Sequence, residues 1–168
     1  AHSILARNGP LAGKRIVITA GGTREAIDPV RVISNHSSGK MGFALAETLA
    51  NRGARVTLVT GPTHQTLMHP MVHRIDVTSA TQMLDACLAI FDTTDGAVLA
   101  AAVADYMPEV TLKEKQKKAD ENWKLSLVKT PDIAMALGMR KKNNQWLVGF
   151  ALETNNEVAN ATDKLQRK

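Results

Sequence analysis

Apolar residues run in two rhythms along this chain of 168 residues. Short runs rich in β-branched residues, "KRIVITAGG", "RVTLVTGPT", "MVHRIDV" and "QWLVGFALE", predict strands that stop at turns or polar segments. Between the first two, Met41, Leu45 and Leu49 of "GKMGFALAETLANRGA" recur at helical spacing, and Gly53 ends that segment. "SATQ" reads as a capping box, Ser79 with Gln82, opening a helix that carries Met83, Leu84, Cys87, Leu88 and Phe91 to about Thr93. "GAVLAAAVADY" is a nearly continuous apolar run, predicting a strand buried on both faces that ends at Asp105. "WKLSLVK" alternates like a strand at a sheet edge or in a hairpin. "TPDIAMALGM" predicts a helix capped by Thr130 with Pro131 at its first position. "NNEVANATDKLQRK" predicts a last helix. The stretch from the first strand to about Ser38 reads as irregular, and residues 107–122 as an exposed, lysine-rich flap.

Strand and helix alternate throughout, which predicts an α/β protein: a Rossmann-like, doubly wound, mostly parallel sheet with helices on both faces and the lysine-rich flap appended. Residues 1–12 read as a linker or leader, and 13–168 as one domain. Ligands of such sheets bind beyond the carboxyl ends of the strands. Four segments are therefore expected to converge: "GGTRE", "AAVADY", "TPDIA" and "GFALET".

Composition narrows the function classes. Aromatic residues make up only 4%, so aliphatic side chains and alanine must fill the core. No apolar run approaches the ~20 residues that cross a membrane. The N-terminal stretch has no apolar core of signal-peptide length. The single cysteine, Cys87, lies on an apolar helix face and fits packing better than nucleophilic chemistry. These features predict a cytoplasmic protein. The net charge of +5 suits a polyanionic ligand. Lys113, Lys115, Lys117 and Lys118 cluster in "KEKQKK", and Lys164, Arg167 and Lys168 close the chain. The histidines, His2, His36, His64, His69 and His73, show no zinc-site spacing. Trp123 and Trp146 sit in predicted strands, where packing is the ordinary role.

"SNHSSGKMG" resembles a phosphate loop without being one, because Ser34 replaces its first glycine and Met41 follows Lys40. Sixteen residues separate Gly22 from Gly39, too many for a dinucleotide fingerprint. Glycines at such a place allow close approach of a ligand, and free N–H groups at a helix start favour anions. The ordinary alternative is a surface loop with a serine cap. "TPDIA" is a good helix start in any protein, and Asp132 opposes a bare anion there. Asp105 can hold Mg²⁺ or a ribose hydroxyl, or serve only as a turn residue. The flap is either a solvated loop or a lid that brings Lys115 to charge developing on phosphates.

Taken together and in order, "ITAGGTREAIDPVRVISNHSSGKMG", "VTLVTGP", "AAVADY", "EKQKK", "KTPDI", "GFALETNN" and "KLQRK" resemble the phosphopantothenate–cysteine ligase family of coenzyme A biosynthesis. The resemblance spans residues from about 12 to 168. It implies ligation of 4′-phosphopantothenate to L-cysteine through an acyl-cytidylate, with CTP as co-substrate and Mg²⁺. Asn35 would orient the activated carboxyl, with Gly21, Gly22, Ser37 and Gly39 around the substrate. Lys115 would neutralise phosphate charge. Asp105, as nucleotide and candidate metal ligand, and the helix start Pro131, Asp132, Ile133 and Ala134 would bind the nucleotide. Phe150 would meet its base, and Lys164 and Lys168, one helical turn apart, its triphosphate.

The family also implies a homodimer and, in bacteria, a fused flavin-dependent decarboxylase half, so no flavin is expected in this segment. Family members continue beyond the position of Lys168. No nucleic-acid or membrane partner is expected. The alternatives are a nicotinamide-dependent Rossmann reductase, which needs a compact glycine fingerprint, and a non-catalytic nucleotide-binding module.

Overall fold

The structure is a computed structural model that describes residues 9–117 and 122–150. Among the described residues five parallel strands form the central sheet: β1 (Arg15–Ala20), β4 (Arg55–Thr60), β5 (Val72–Asp76), β6 (Gly96–Leu99) and β9 (Trp146–Gly149). Their order is β5-β4-β1-β6-β9, so β1 is central and the chain winds outward from it in both directions. The point of reversal lies between β1 and β6, where α/β sheets open a crevice.

Among the described residues three helices cover the sheet: α1 (Lys40–Asn51), α2 (Ala80–Phe91) and α3 (Ile133–Arg140). Strand β1 serves both faces because its side chains alternate. Ile16, Ile18 and Ala20 join Phe43, Ala46 and Ala50 of α1, with Val56 and Leu58 of β4. Val17 points the other way, toward Met83, Cys87 and Phe91 of α2 and Ile133 and Leu137 of α3. Phe91 is fully buried, which stabilises the fold by roughly 1.5–3 kcal/mol. Helix α1 lies unusually close to β1. A Cβ on Gly42 would stand 2.5 Å from the Cβ of Ala20, so only glycine fits there.

The Rossmann-like, doubly wound sheet is borne out, with α1 on one face and α2 and α3 on the other. The capping box is also present: the Ser79 side chain accepts from Gln82 N–H, and the Gln82 side chain accepts from Ser79 N–H. Helix α2 ends at Phe91, slightly before the expected Thr93.

Several boundaries differ from the sequence-based expectation. The stretch after β1 is not irregular throughout: β2 (Arg24–Ala26) and β3 (Val32–Ser34) pair as an antiparallel hairpin. The apolar run "GAVLAAAVADY" leaves the sheet after Leu99. Gly21 has φ 71°, which bends the end of β1, and the Thr19 hydroxyl takes the Ala101 N–H, so only a single bridge, Gly22 to Ala102, continues the pairing. Asp105 therefore sits in a loop, six residues beyond the strand.

Tyr106–Pro108, largely counted with the flap, forms β7 and pairs with β8 (Leu127–Lys129), which is all of "WKLSLVK" that becomes a strand. Helix α3 is capped by Asp132, whose carboxylate accepts the Met135 N–H at 3.0 Å. Thr130 is held elsewhere, donating to the carbonyl of Ala104 at 2.6 Å, and Pro131 precedes the helix. The predicted last helix lies outside the described residues. Residues from Gly9 onward rest against the end of α1, with Leu11 N–H donating to Arg52.

Candidate functional site

A cleft of about 870 Å³ opens at the carboxyl end of the sheet beside the reversal point. Its floor comes from Thr19, Leu99 and Leu147, and one wall from Ala101, Val103, Ala104, Asp105 and Tyr106. The opposite wall is the segment from Lys129 to Ala134, with Gly149 and Phe150 at the mouth. "AAVADY", "TPDIA" and the start of "GFALET" thus converge as expected. "GGTRE" stands behind the first wall instead of lining the cleft.

That wall, residues 100–105, is pinned along nearly its whole length. Ala100 N–H donates to Thr19 O, Ala102 N–H to Gly21 O at 2.8 Å, and Ala104 N–H to the buried Thr23 hydroxyl at 2.9 Å. The Ala104 carbonyl accepts from Thr130, and Thr130 N–H donates to Asp105 O. A loop whose backbone is this fully satisfied holds its side chains in a fixed arrangement. Tertiary contacts therefore aim Asp105, not strand geometry.

Asn35 joins the same wall from its other side: its side-chain amide donates to the carbonyl of Val103 at 2.9 Å. It is exposed and lies next to the cleft without lining it. The glycines around it are already used by the protein. A Cβ on Gly22 would stand 2.9 Å from the Asn35 carbonyl oxygen, and one on Gly21 2.9 Å from the Gly61 oxygen. Gly39, at φ 76°, is the N-cap of α1 and supplies no side-chain cap. The expected alternative of a serine-capped loop does not form: the Ser37 hydroxyl accepts from Gly39 N–H instead. No acidic residue stands in the first turn of α1, an arrangement that suits an anion. Lys40 is exposed there.

Of the expected nucleotide ligands, Asp105, Pro131, Asp132, Ile133, Ala134 and Phe150 all line the cleft. Phe150 is 54% exposed, an apolar ring available to a planar partner. Lys164 and Lys168 lie outside the described residues. Lys115 is exposed on the flap and does not line the cleft. Two cations that the sequence reading passed over do line it, Lys129 and Lys141. Lys129 stood inside the quoted "KTPDI", whereas Lys141 follows α3 with no motif to mark it. Tyr106, 47% exposed, is a second ring on the cleft wall.

Among the described residues no cluster of three or more His, Cys, Asp or Glu side chains is arranged to hold a metal. Among the described residues Asp105 and Asp132 are the two carboxylates that line the cleft, and Asp132 is engaged as a helix cap. This donor set fits a Mg²⁺ ion that arrives bound to phosphates and keeps several waters, not a protein-caged ion. Burial pushes the Cys87 thiol up to about 12, so it packs and does not react. Trp123 lies outside any strand and is 45% exposed, with the Arg31 guanidinium 5.1 Å from its ring centroid.

Comparison with known proteins agrees with the fold and the motifs. Residues 11–168 match the family described as the DNA/pantothenate metabolism flavoprotein C-terminal domain, and the chain belongs to that family. A crystal structure of the C-terminal domain of coenzyme A biosynthesis bifunctional protein CoaBC is similar, at 44% identity and a TM-score of 0.79, over 92% of this chain and 72% of that one. The full CoaBC of Vibrio vulnificus strain YJ016 is 48% identical over 162 residues, 95% of this chain and 40% of that protein. A protein from an unknown prokaryotic organism, named cysteine/cysteine sulfinic acid decarboxylase, is 51% identical over 159 residues, 95% of this chain and 44% of its own length. The chain thus spans about two fifths of the last two relatives. Among the described residues no helix is long and apolar enough to cross a membrane.

Proposed function

We propose that this chain is the phosphopantothenate–cysteine ligase domain of a coenzyme A biosynthesis protein, using CTP to activate the substrate carboxylate. The observation that carries the proposal is the shared wall at residues 101–105. One side of it lines the cleft, and from the other side Asn35 donates to the carbonyl of Val103, which supports a nucleotide in the cleft beside an acyl substrate at the Asn35 loop. A carboxylate held by the Asn35 loop and a nucleotide held in the cleft would meet at the edge of this wall, as attack at phosphorus requires.

In the first step the carboxylate of 4′-phosphopantothenate attacks the α-phosphorus of CTP. A C–O–P linkage forms, and the bond to the β-phosphate breaks, releasing pyrophosphate. In the second, the cysteine amine attacks the acyl carbon. CMP leaves with the bonding electrons, the amine loses its proton, and the amide results. Lys129 and Lys141 on the cleft wall, with Lys115 from the flap, supply fixed positive charge where phosphate charge accumulates. The start of α3 and Asp105 orient the nucleotide, while Phe150 offers a ring to its base. Asn35 offers an amide to a carboxyl oxygen without adding repulsive charge. Mg²⁺ brought with the nucleotide would neutralise its phosphates.

In this reading the chain works as a homodimer in the cytoplasm, and the rest of its parent includes a decarboxylase half. Calorimetry with CTP and Mg²⁺, ATP, reduced nicotinamide dinucleotides and 4′-phosphopantothenate tests the assignment. Binding of CTP and 4′-phosphopantothenate is expected, with pyrophosphate released only when both are present. Tight binding of a reduced nicotinamide dinucleotide with none of CTP overturns it.

A further inference from the structure

The lysine-rich flap does not hang free of the domain where it is described. Its first residues lie on the β2–β3 hairpin: the Thr111 hydroxyl donates to Ala26 O, and Leu112 N–H to Ile27 O at 2.9 Å. Its far side returns to the same hairpin through two residues. The carboxylate of Asp28 accepts the Gln116 N–H at 3.2 Å, and the Arg31 guanidinium donates to the Gln116 carbonyl at 2.5 Å. Both backbone groups of Gln116 are thus held, and its N–H belongs to the peptide that follows Lys115. Between the two attachments Lys113, Glu114 and Lys115 are exposed.

Asp28 is built for this task. It is 2% exposed, and its other oxygen accepts the N–H groups of Val30 and Arg31, each at 2.8 Å. Arg31 stands 3.6 Å from Asp28 and carries the Trp123 ring on its face. A buried carboxylate whose oxygens divide between its own turn and a distant segment costs desolvation that a simple turn does not require. An asparagine would serve the turn equally well.

We propose that Asp28, with Arg31, is the positioning pair for the flap and sets where Lys115 meets the nucleotide phosphates. This rests on the ligase reading given above. Asp28→Asn isolates the effect. The amide oxygen keeps the two bonds of the turn, and the amide N–H₂ then faces the Gln116 N–H, donor against donor.

The test uses the full chain. In Asp28→Asn, amide exchange is expected to lose protection at Gln116 while the amides of Val30 and Arg31 keep theirs. Unchanged protection at Gln116 overturns the clamp whatever the enzyme does. In single turnover, release of pyrophosphate from CTP and 4′-phosphopantothenate is expected to slow by about tenfold or more, as for a misplaced catalytic group. The effect should vanish in a Lys115→Gln background, because both changes remove one contribution. Equal slowing in both backgrounds assigns Asp28 a role independent of Lys115 and overturns the proposal. If the unsubstituted chain binds no CTP and releases no pyrophosphate, the ligase reading and the positioning role fail together, while amide exchange still decides the clamp.

Discussion

Thr23 offers a direct test of the idea that tertiary hydrogen bonds hold the cleft wall. It is fully buried, and its hydroxyl accepts the N–H of Ala104, itself buried, at 2.9 Å. Thr23→Val keeps shape and volume but leaves that N–H facing a methyl group. A buried donor without a partner costs about 1–3 kcal/mol. For a domain of this size, each 1 kcal/mol shifts the melting temperature by about 2–4 °C, so a fall of about 2–12 °C is expected. Thr23→Ser keeps the acceptor and gives up a buried methyl, at about 0.8 kcal/mol. Valine should therefore be worse than serine, by urea unfolding as by melting, although it is the closer match in shape. Activity should follow the same order, since Ala104 precedes Asp105. Valine within about 0.5 kcal/mol of the unsubstituted chain, or better than serine, would refute the argument.

Three further outcomes follow from the geometry. Asn35→Asp sets a carboxylate against the Val103 carbonyl and a substrate carboxyl; turnover should fall by about tenfold or more, an added barrier of about 1.4 kcal/mol, with little change in CTP affinity by calorimetry, and comparable losses in both would count against the role. Gly42→Ala gains up to about 1 kcal/mol of helix propensity but drives a methyl into Ala20, at about 1–3 kcal/mol; thermal melting should show a net loss, and a gain would mean that α1 shifts freely. The third concerns acid. The Asp95 carboxyl lies below the ordinary 3.8 because Lys14 and the Arg15 N–H bind it, and Asp92 likewise beside Arg140. At Asp28, burial pushes the carboxyl up, but the N–H groups of Val30, Arg31 and Gln116 and the Arg31 charge outweigh it and hold it low. Depressed folded-state values mean that these groups stabilise the fold fully above the ordinary value and lose that contribution as pH falls through the folded ones. Urea midpoints should drop below about pH 4, and Asp95→Asn should flatten part of that drop; an identical acid slope would exclude Asp95 as a source.

The candidate site was legible where chemistry is local. The α3 start and Phe150 were placed in the cleft because one opens a helix and the other follows a strand at the sheet's carboxyl end, whereas Asp105 reaches it from a loop that tertiary bonds hold. Lys141 escaped because no motif marks it, and Lys129, although inside "KTPDI", because a lone cation gains meaning only when folding sets it on the cleft. Asp28 escaped for a similar reason. In "AIDPVR" it reads as an ordinary turn residue, and only the structure shows Gln116, 88 positions away, on its second oxygen.

By itself the sequence determined the alternation of strands and helices, the α/β class, the capping box at Ser79 and the crevice at the sheet's carboxyl end. These depend on periodicity and on contacts within a few residues, which composition and spacing encode directly. Only the tertiary structure decided that "GAVLAAAVADY" leaves the central sheet after its first four residues. Apolar character says that a segment is buried, not that it stays in the sheet. Thr19 and the bend at Gly21 end the regular ladder there, and the segment that leaves becomes a wall of the cleft. Hydrogen bonds to residues some eighty positions away fix that wall, and no local pattern records them.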